Sequence, residues 1–239
     1  MERLLSRREA KSKTILSYTF TKLEKYLDKK INKVPIEIEL NNIEQGRISS
    51  LFGKRNIFLI SDTHFGHTNI IEYCKRPFKS TSEMNRKIIK NWNETIRKKD
   101  IVLFLGDMRF GRGSPSTDYW LKKLNGRIYF LKGSHEHDTK SRMTDYYNKL
   151  IVKYHGKRFL LVHDPADIPS DWNGWTICGH HHNNQPEEFP LVNGKTKLIN
   201  VSVELLNYTP LNINKLFELD FENIVFMKKI DSIPIMKKT

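Results

Sequence analysis

Five short apolar runs in this chain each end on an imidazole or a carboxylate, and that repetition limits the fold more than any other feature. Phe58-Leu59-Ile60-Ser61 leads into Asp62-Thr63-His64. Leu103-Phe104-Leu105-Gly106 leads into Asp107, and Tyr129-Phe130-Leu131-Lys132-Gly133 into Ser134-His135. Phe159-Leu160-Leu161-Val162 leads into His163, and Trp175-Thr176-Ile177-Cys178-Gly179 into His180-His181-His182. Short apolar runs bounded by glycine and polar residues read as buried strands. In open α/β sheets, ligands bind beyond the carboxyl ends of the strands. A fold that gathers these five ends brings two Asp and at least four His to one place. Taken singly, each histidine reads as an ordinary core or surface residue. Taken together they read as a metal site. Carboxylate plus imidazole suits Mn, Fe, Co, Ni or Zn and suits Ca poorly. Six donors exceed what one tetrahedral ion needs, and two ions sharing a bridging Asp would use them all.

The remaining pattern places these runs in an α/β fold. Strands are expected over 56–61, 100–105, 127–131, 150–154, 158–162, 175–178 and 197–203. A helix is expected over 81–98, opened by the capping-box pair Ser80 and Glu83, with Met84, Ile88, Ile89, Trp92 and Ile96 on its buried face. A second is expected over 116–124, closed by Asn125-Gly126. Helices alternate with the early strands and flank the sheet. The later strands lack long helices between them, so part of the sheet should be mixed or antiparallel. Residues 51–239 then form the main domain. Residues 1–50 read as a basic helical extension and connector. Leu16, Phe20, Leu23, Leu27 and Ile31 hold helical spacing among lysines, Pro35 ends the helix, and Ile36–Leu40 alternates like a strand. The extension is expected to dock on the main domain, on a second copy or on a protein partner.

Charge narrows the ligand without choosing it. Lys plus Arg number 41 against 27 Asp plus Glu, a net charge of +14. Such a field attracts polyanions, nucleic acid included. A chain rich in Lys, Asn and Ile also acquires lysine by compositional drift. The two cysteines, Cys74 and Cys178, form no CxxC pair and read as structural thiols. The longest apolar runs are too short for a membrane span, and no apolar segment follows the basic N-terminus, so a cytoplasmic protein without membrane partners is expected.

The motifs resemble those of the calcineurin-like metallophosphoesterases, and most closely the compact bacterial and phage branch that opens with a D-T-H-F-G-H-x-N-I motif. The matching pieces are Asp62-Thr63-His64-Phe65-Gly66-His67-Thr68-Asn69-Ile70, Gly106-Asp107, Gly133-Ser134-His135-Glu136, His163-Asp164-Pro165 and Gly179-His180-His181-His182-Asn183-Asn184. Lesser echoes are Arg76-Pro77-Phe78, Asn91-Trp92-Asn93, and Asn200-Val201-Ser202-Val203 with Tyr208-Thr209-Pro210. Together they cover about residues 56–220, and residues 1–50 lie outside them.

The resemblance implies an αββα sandwich of mixed sheets holding two divalent ions, manganese first among the candidates and Fe, Zn, Ni or Co after it. It implies Asp62, His64 and His182 on the first ion, Asp107 bridging, and His163 and His180 on the second. The family motif G-N-H-[DE] also supplies an Asn carbonyl to the second ion, and this chain has Ser134 there. That departure weakens the second ion, changes metal preference, marks an inactive copy or is an introduced substitution that traps a bound state. His135 matches the catalytic histidine, a proton donor to the leaving oxygen as a hydroxide held by both ions attacks phosphorus. His67, Arg109 and Arg112 are candidate substrate contacts, and Asp164 and Glu136 candidate orienters of metal-bound imidazoles. His181 is expected to point away from its neighbours if the segment is extended, and His137 and His155 to lie on the surface. The expected activity is metal-dependent phosphoester hydrolysis. The basic stretch Lys87–Lys99 tilts it toward phosphodiesters of nucleotides or nucleic acid, a nuclease included. A phosphomonoesterase on a small metabolite and a non-catalytic binding protein are the alternatives.

Overall fold

Strand ends carry the chemistry, so the fold is described from the strands outward. The structure is a computed structural model and describes residues 36–39, 55–136, 141–144, 146–216, 218–221 and 223–232. The expected helix of residues 1–34 lies outside the described residues, as do most of the connector and His137. The described residues from Glu37 onward cluster as one compact unit.

Two mixed sheets make up that unit. The strands are β1 (Ile36–Glu39), β2 (Ile57–Ile60), β3 (Ile101–Phe104), β4 (Arg127–Leu131), β5 (Tyr146–Tyr147), β6 (Leu150–Tyr154), β7 (Lys157–Leu161), β8 (Trp175–Cys178), β9 (Val192–Asn193), β10 (Leu198–Asn200), β11 (Leu211–Asn212) and β12 (Phe226–Met227). One sheet runs β11-β2-β3-β4-β5 and the other β1-β6-β7-β8-β10-β9-β12. In the first, β2 to β5 are parallel and β11 pairs antiparallel to β2. Every residue of β2 and β3 is buried. Central parallel strands are covered on both faces, which is why Ile-Phe-Leu-Ile and Ile-Val-Leu-Phe show no polar alternation. In the second sheet β7-β8 and β8-β10 are parallel, while β6-β7, β10-β9 and β9-β12 are antiparallel. The expected mixed character of the later strands is therefore present.

Helices are few. They are α1 (Ile70–Tyr73), α2 (Thr81–Thr95), α3 (Thr117–Leu121) and α4 (Ile213–Leu216). The Ser80 side chain accepts from Glu83 N at the start of α2, and the Glu83 carboxylate accepts from Lys79 N. Met84, Ile88 and Trp92 are the buried face of α2, and Ile89 is only half-buried. α2 stops at Thr95, three residues before the expected end, and Ile96 is extended and buried at its C-cap. The short strands β5, β9, β11 and β12 escaped sequence analysis because two residues carry no measurable alternation.

The two sheets meet at their strand ends. Ser61, just past β2, donates to Val201 O at 3.0 Å and accepts from Val203 N at 3.1 Å, a parallel bridge to the residues after β10. Asp62 N bonds Gly106 O at 3.0 Å, and Gly179 N bonds His163 O at 2.9 Å. The ladders thus continue past the strands into the loops that hold the Asp and His residues.

Candidate metal centre

Five of the expected ligands adopt a backbone conformation that side chains rarely accept. The φ angle is 59° at Asp62, 48° at His64, 57° at Asp107, 72° at His180 and 52° at His182. Each follows β2, β3 or β8 directly or within four residues. A left-handed non-glycine residue costs on the order of 1 kcal/mol or more, and such residues persist where the surroundings over-determine them, typically at functional sites. Gly133 and Gly179 fill the remaining space by having no side chain. A Cβ on Gly133 would run into the Asp107 carboxylate, and one on Gly179 into Ser61 and Asp62.

The donors fall into two triads. In the first, ligand atoms of Asp62, His64 and His182 lie within 4.8 Å of one another. Asp62 Oδ2 accepts from Ser61 Oγ, from Ser202 Oγ at 2.9 Å and from His180 N at 3.0 Å. Asp62 Oδ1 is buried without a partner, 4.0 Å from His64 Nε2 and 3.9 Å from His182 Nε2. Both ring nitrogens of His64 are buried and unpartnered as well. Buried polar atoms are almost always bonded, and these orphans surround a space whose oxygen and nitrogen donors suit a divalent cation.

The second triad joins Asp107, His163 and His180, again within 4.8 Å. His163 Nδ1 donates to Leu105 O at 2.7 Å, which turns Nε2 toward the other two members of the triad. That Nε2 stands 3.4 Å from Asp107 Oδ2 and 3.2 Å from His180 Nδ1. Ser134 Oγ lies 3.2 Å from the same His180 nitrogen. Asp107 also faces the first triad, with Oδ2 3.6 Å from His64 Nε2. Its Oδ1 accepts from His135 N at 2.9 Å, while His135 Nε2 is 3.7 Å from Oδ2. Ligand atoms of His64, Asp107 and His135 also fall within 4.8 Å, so distance alone leaves His135 in reach of an ion.

Electrostatics follows from this crowding. Burial and the positive charge of His182 hold His64 well below the usual histidine range. Burial lowers His163 too, but its bond to Asp107 and the charges of Asp62 and Asp107 outweigh it and raise it to about 9. At His182 burial is outweighed by the Glu204 and Asp62 charges, which raise it to about 11. Asp107 is held well below the carboxylate range against its burial by the His163 bond and the His163 and His64 charges. The Asp62, Asp107 and Glu204 carboxylates thus favour positive charge on His163 and His182, while burial keeps His64 neutral.

A second layer fixes the first triad, and sequence analysis missed its centre. Glu204 is buried, and its Oε1 accepts from His182 Nδ1 at 2.9 Å and from Arg76 Nε and Nη2 at 2.9 and 2.6 Å. Arg76 also donates to the carbonyls of Asp62 and Thr63 at 2.8 and 2.9 Å. Burial disfavours the Glu204 carboxylate, and Arg76 and His182 overcome it, lowering its pKa to about 2. The Arg76-Pro77-Phe78 and Asn200–Val203 echoes were the only signal: the first opens on Arg76 and the second stops one residue before Glu204.

Other expectations are placed as follows. Glu136 orients no imidazole. It accepts from the backbone N–H groups of Asp107, Met108 and Gly133 at 2.8–2.9 Å and so ties two loops together. Asp164 Oδ2 lies 3.5 Å from His180 Nε2. The His67 ring is 5.4 Å from that of His64. Arg109 donates to Gly111 O at 2.9 Å, closing its own loop, and Arg112 is exposed. Residues 179–182 form a turn, not an extended segment, since His181 N bonds Gly179 O. The His181 ring leaves the triads by stacking on Phe189 at 3.5 Å. His155 is exposed, and Cys74 and Cys178 are free and buried.

Comparison with known proteins places the chain in a family. The uncharacterized protein MJ1445 of Methanocaldococcus jannaschii is 43% identical over 167 residues, which are 69% of this chain and 91% of that one. The crystal structure of AQ665, a protein of unknown function from Aquifex aeolicus, matches with a TM-score of 0.55 at 25% identity, covering 69% of this chain and 99% of its own. Residues 56–201 match the calcineurin-like phosphoesterase superfamily domain. That stretch contains both triads, and by it the chain belongs to the calcineurin-like phosphoesterase superfamily, whose members use divalent metal to hydrolyse phosphate esters.

Proposed function

We propose that this chain hydrolyses phosphodiesters of the nucleotide or nucleic-acid kind, using two divalent ions, manganese first among them. Asp62, His64 and His182 would hold one, His163 and His180 the other, and Asp107 both. The observation that carries this reading is the position of Asp107, whose Oδ2 stands 3.6 Å from His64 and 3.4 Å from His163. Divalent ions bound there would supply Lewis acidity to a phosphoryl oxygen and lower the pKa of a bound water.

The chain's own residues do the rest. Glu204 and Leu105 O fix which nitrogens of His182 and His163 face the cavity. His135 is held to Asp107 through its backbone, and its side chain is 35% exposed. An imidazole so placed donates a proton to a leaving oxygen arriving from solvent, a role worth about 10²–10⁴-fold. The diester preference rests on the basic stretch around α2, where Arg86, Lys87, Lys90, Arg97, Lys98 and Lys99 are exposed. The protein is expected to work in the cytoplasm, and the segment before residue 36 to serve a second copy or a partner.

The test is a purified-protein screen of model mono- and diesters with Mn²⁺, Ni²⁺, Zn²⁺ and Mg²⁺. Diester turnover above monoester turnover is the expected result, and no turnover with any metal overturns the reading. If nucleic acid is the substrate, its binding falls steeply with salt as counterions are released. A salt-independent affinity removes nucleic acid and leaves small phosphodiesters.

A further inference from the structure

Beside His135 the protein displays aromatic surface that its fold does not use. Among the described residues, six large apolar or aromatic side chains are exposed, and two of them, Tyr73 and Phe110, flank His67. Phe110 is 38% exposed, with its ring centroid 4.5 Å from His67 and 4.2 Å from His135. Tyr73 is 61% exposed and lies 6.1 Å from His67 in an edge-on arrangement. The four rings run in sequence from Tyr73 through His67 and Phe110 to His135, and His135 and His67 each approach His64 to 5.4 Å.

This arc is held rigid from beneath. Phe65 and Arg109 form a parallel bridge, and Phe110 N bonds Phe65 O at 3.3 Å. Ser114 Oγ donates to Phe65 O at 2.7 Å, and Trp120 stacks on the Phe65 ring at 4.7 Å. The loops that carry His67 and Phe110 are thus one packed unit. Exposing a phenylalanine forgoes the free energy of burying it, and a pre-organised ring lowers the ordering cost of a ligand that stacks on it.

We propose that Phe110, with His67 and Tyr73 beside it, is a stacking platform for the nucleobase of the substrate, on the side from which the leaving group departs. The side follows from His135, and in that respect the proposal rests on the function assigned above. A group whose oxygen takes a proton from His135 has its next atoms beside Phe110. A planar base fits an aromatic face whatever its sequence identity, so the platform selects nucleosides over alkyl leaving groups without choosing among bases.

The test uses the zinc-loaded full chain, zinc being diamagnetic, and adenosine, which has no phosphate to lose. Saturation-transfer NMR should show stronger transfer to the base protons than to the ribose protons. Phe110→Ala should weaken adenosine binding on the order of tenfold, and Phe110→Trp should restore it. In the same preparations AMP should inhibit diester hydrolysis about tenfold better than ribose 5-phosphate, an advantage that Phe110→Ala abolishes. Adenosine binding that is unchanged in Phe110→Ala, or equal inhibition by the two phosphates, overturns the platform. Phe110-dependent adenosine binding in a protein that hydrolyses no ester with any metal supports the platform and overturns the assigned function instead.

Discussion

Asp107 belongs to the second triad and faces the first, and the two triads differ in nearly everything else around them. The first is dry. Asp62 is fully buried and the His182 side chain 9% exposed, and behind them Glu204 and Arg76 form a buried ion pair. The second opens to solvent. The His180 side chain is 34% exposed, its carboxylate partner Asp164 is 31% exposed, and its neighbour at the family's asparagine position is the hydroxyl of Ser134. Electrostatic attraction strengthens as water is excluded, so the first triad should hold its ion tightly and the second should exchange. Depth and a charged second layer make a permanent site, and exposure makes a site that substrate and water can reach.

Replacing His135 tests whether the two triads are complete without it. His135→Ala should lower turnover about 10²–10⁴-fold with metal content unchanged. Loss of metal in parallel with activity would make His135 a ligand, and the comparison would then involve three clusters.

Arg76 tests the dry side. Its guanidinium compensates Glu204, and both side chains are buried. Arg76→Met should destabilise the fold by about 3–5 kcal/mol in denaturant unfolding, because a buried carboxylate loses its main partner. A loss under about 1 kcal/mol would mean that His182 alone suffices to hold the charge.

Glu204→Gln should act on one triad only. Weakening the acceptor behind His182 should lower affinity at the first site about 10–100-fold while the second titrates as before. Cobalt absorption, followed through a stepwise titration, separates the two. Equal weakening at both would show that Asp107 couples them strongly enough to erase the contrast.

Ser134→Asn gives the smallest expected change. An asparagine carbonyl reaches one atom further than a serine hydroxyl and is a fixed neutral donor. Activity at limiting metal should rise a few-fold, with little change at saturation. If the serine protein already saturates at the same or lower metal concentration, the second triad is as strong as the first.

The parts of this molecule that were legible in its sequence are local. Burial on both faces leaves a continuous apolar run in β2 and β3, and amphipathic spacing marks Met84, Ile88 and Trp92 in α2. The Asp and His residues were found because each lies within a few positions of a strand end. The Glu204–Arg76 pair spans 128 residues and was not found. Beyond the Asn200–Val203 echo that stops just before it, nothing near Glu204 in the chain distinguishes it from a solvated acid. Likewise Glu136, three residues after a strand-end glycine, resembled an imidazole orienter and turned out to bond backbone.

The sequence by itself determined where the longer strands lie and that each of the five motif-bearing runs hands an Asp, a Ser-His pair or a His to the loop beyond it, because hydrophobic period and turn chemistry act over a few residues. Only the tertiary structure decided that these loops meet. It set the left-handed turns at Asp62, His64, Asp107, His180 and His182, and it put Glu204 behind one triad and solvent beside the other. Those outcomes depend on how two sheets abut and on which atoms are thereby cut off from water, and both are properties of the packed chain.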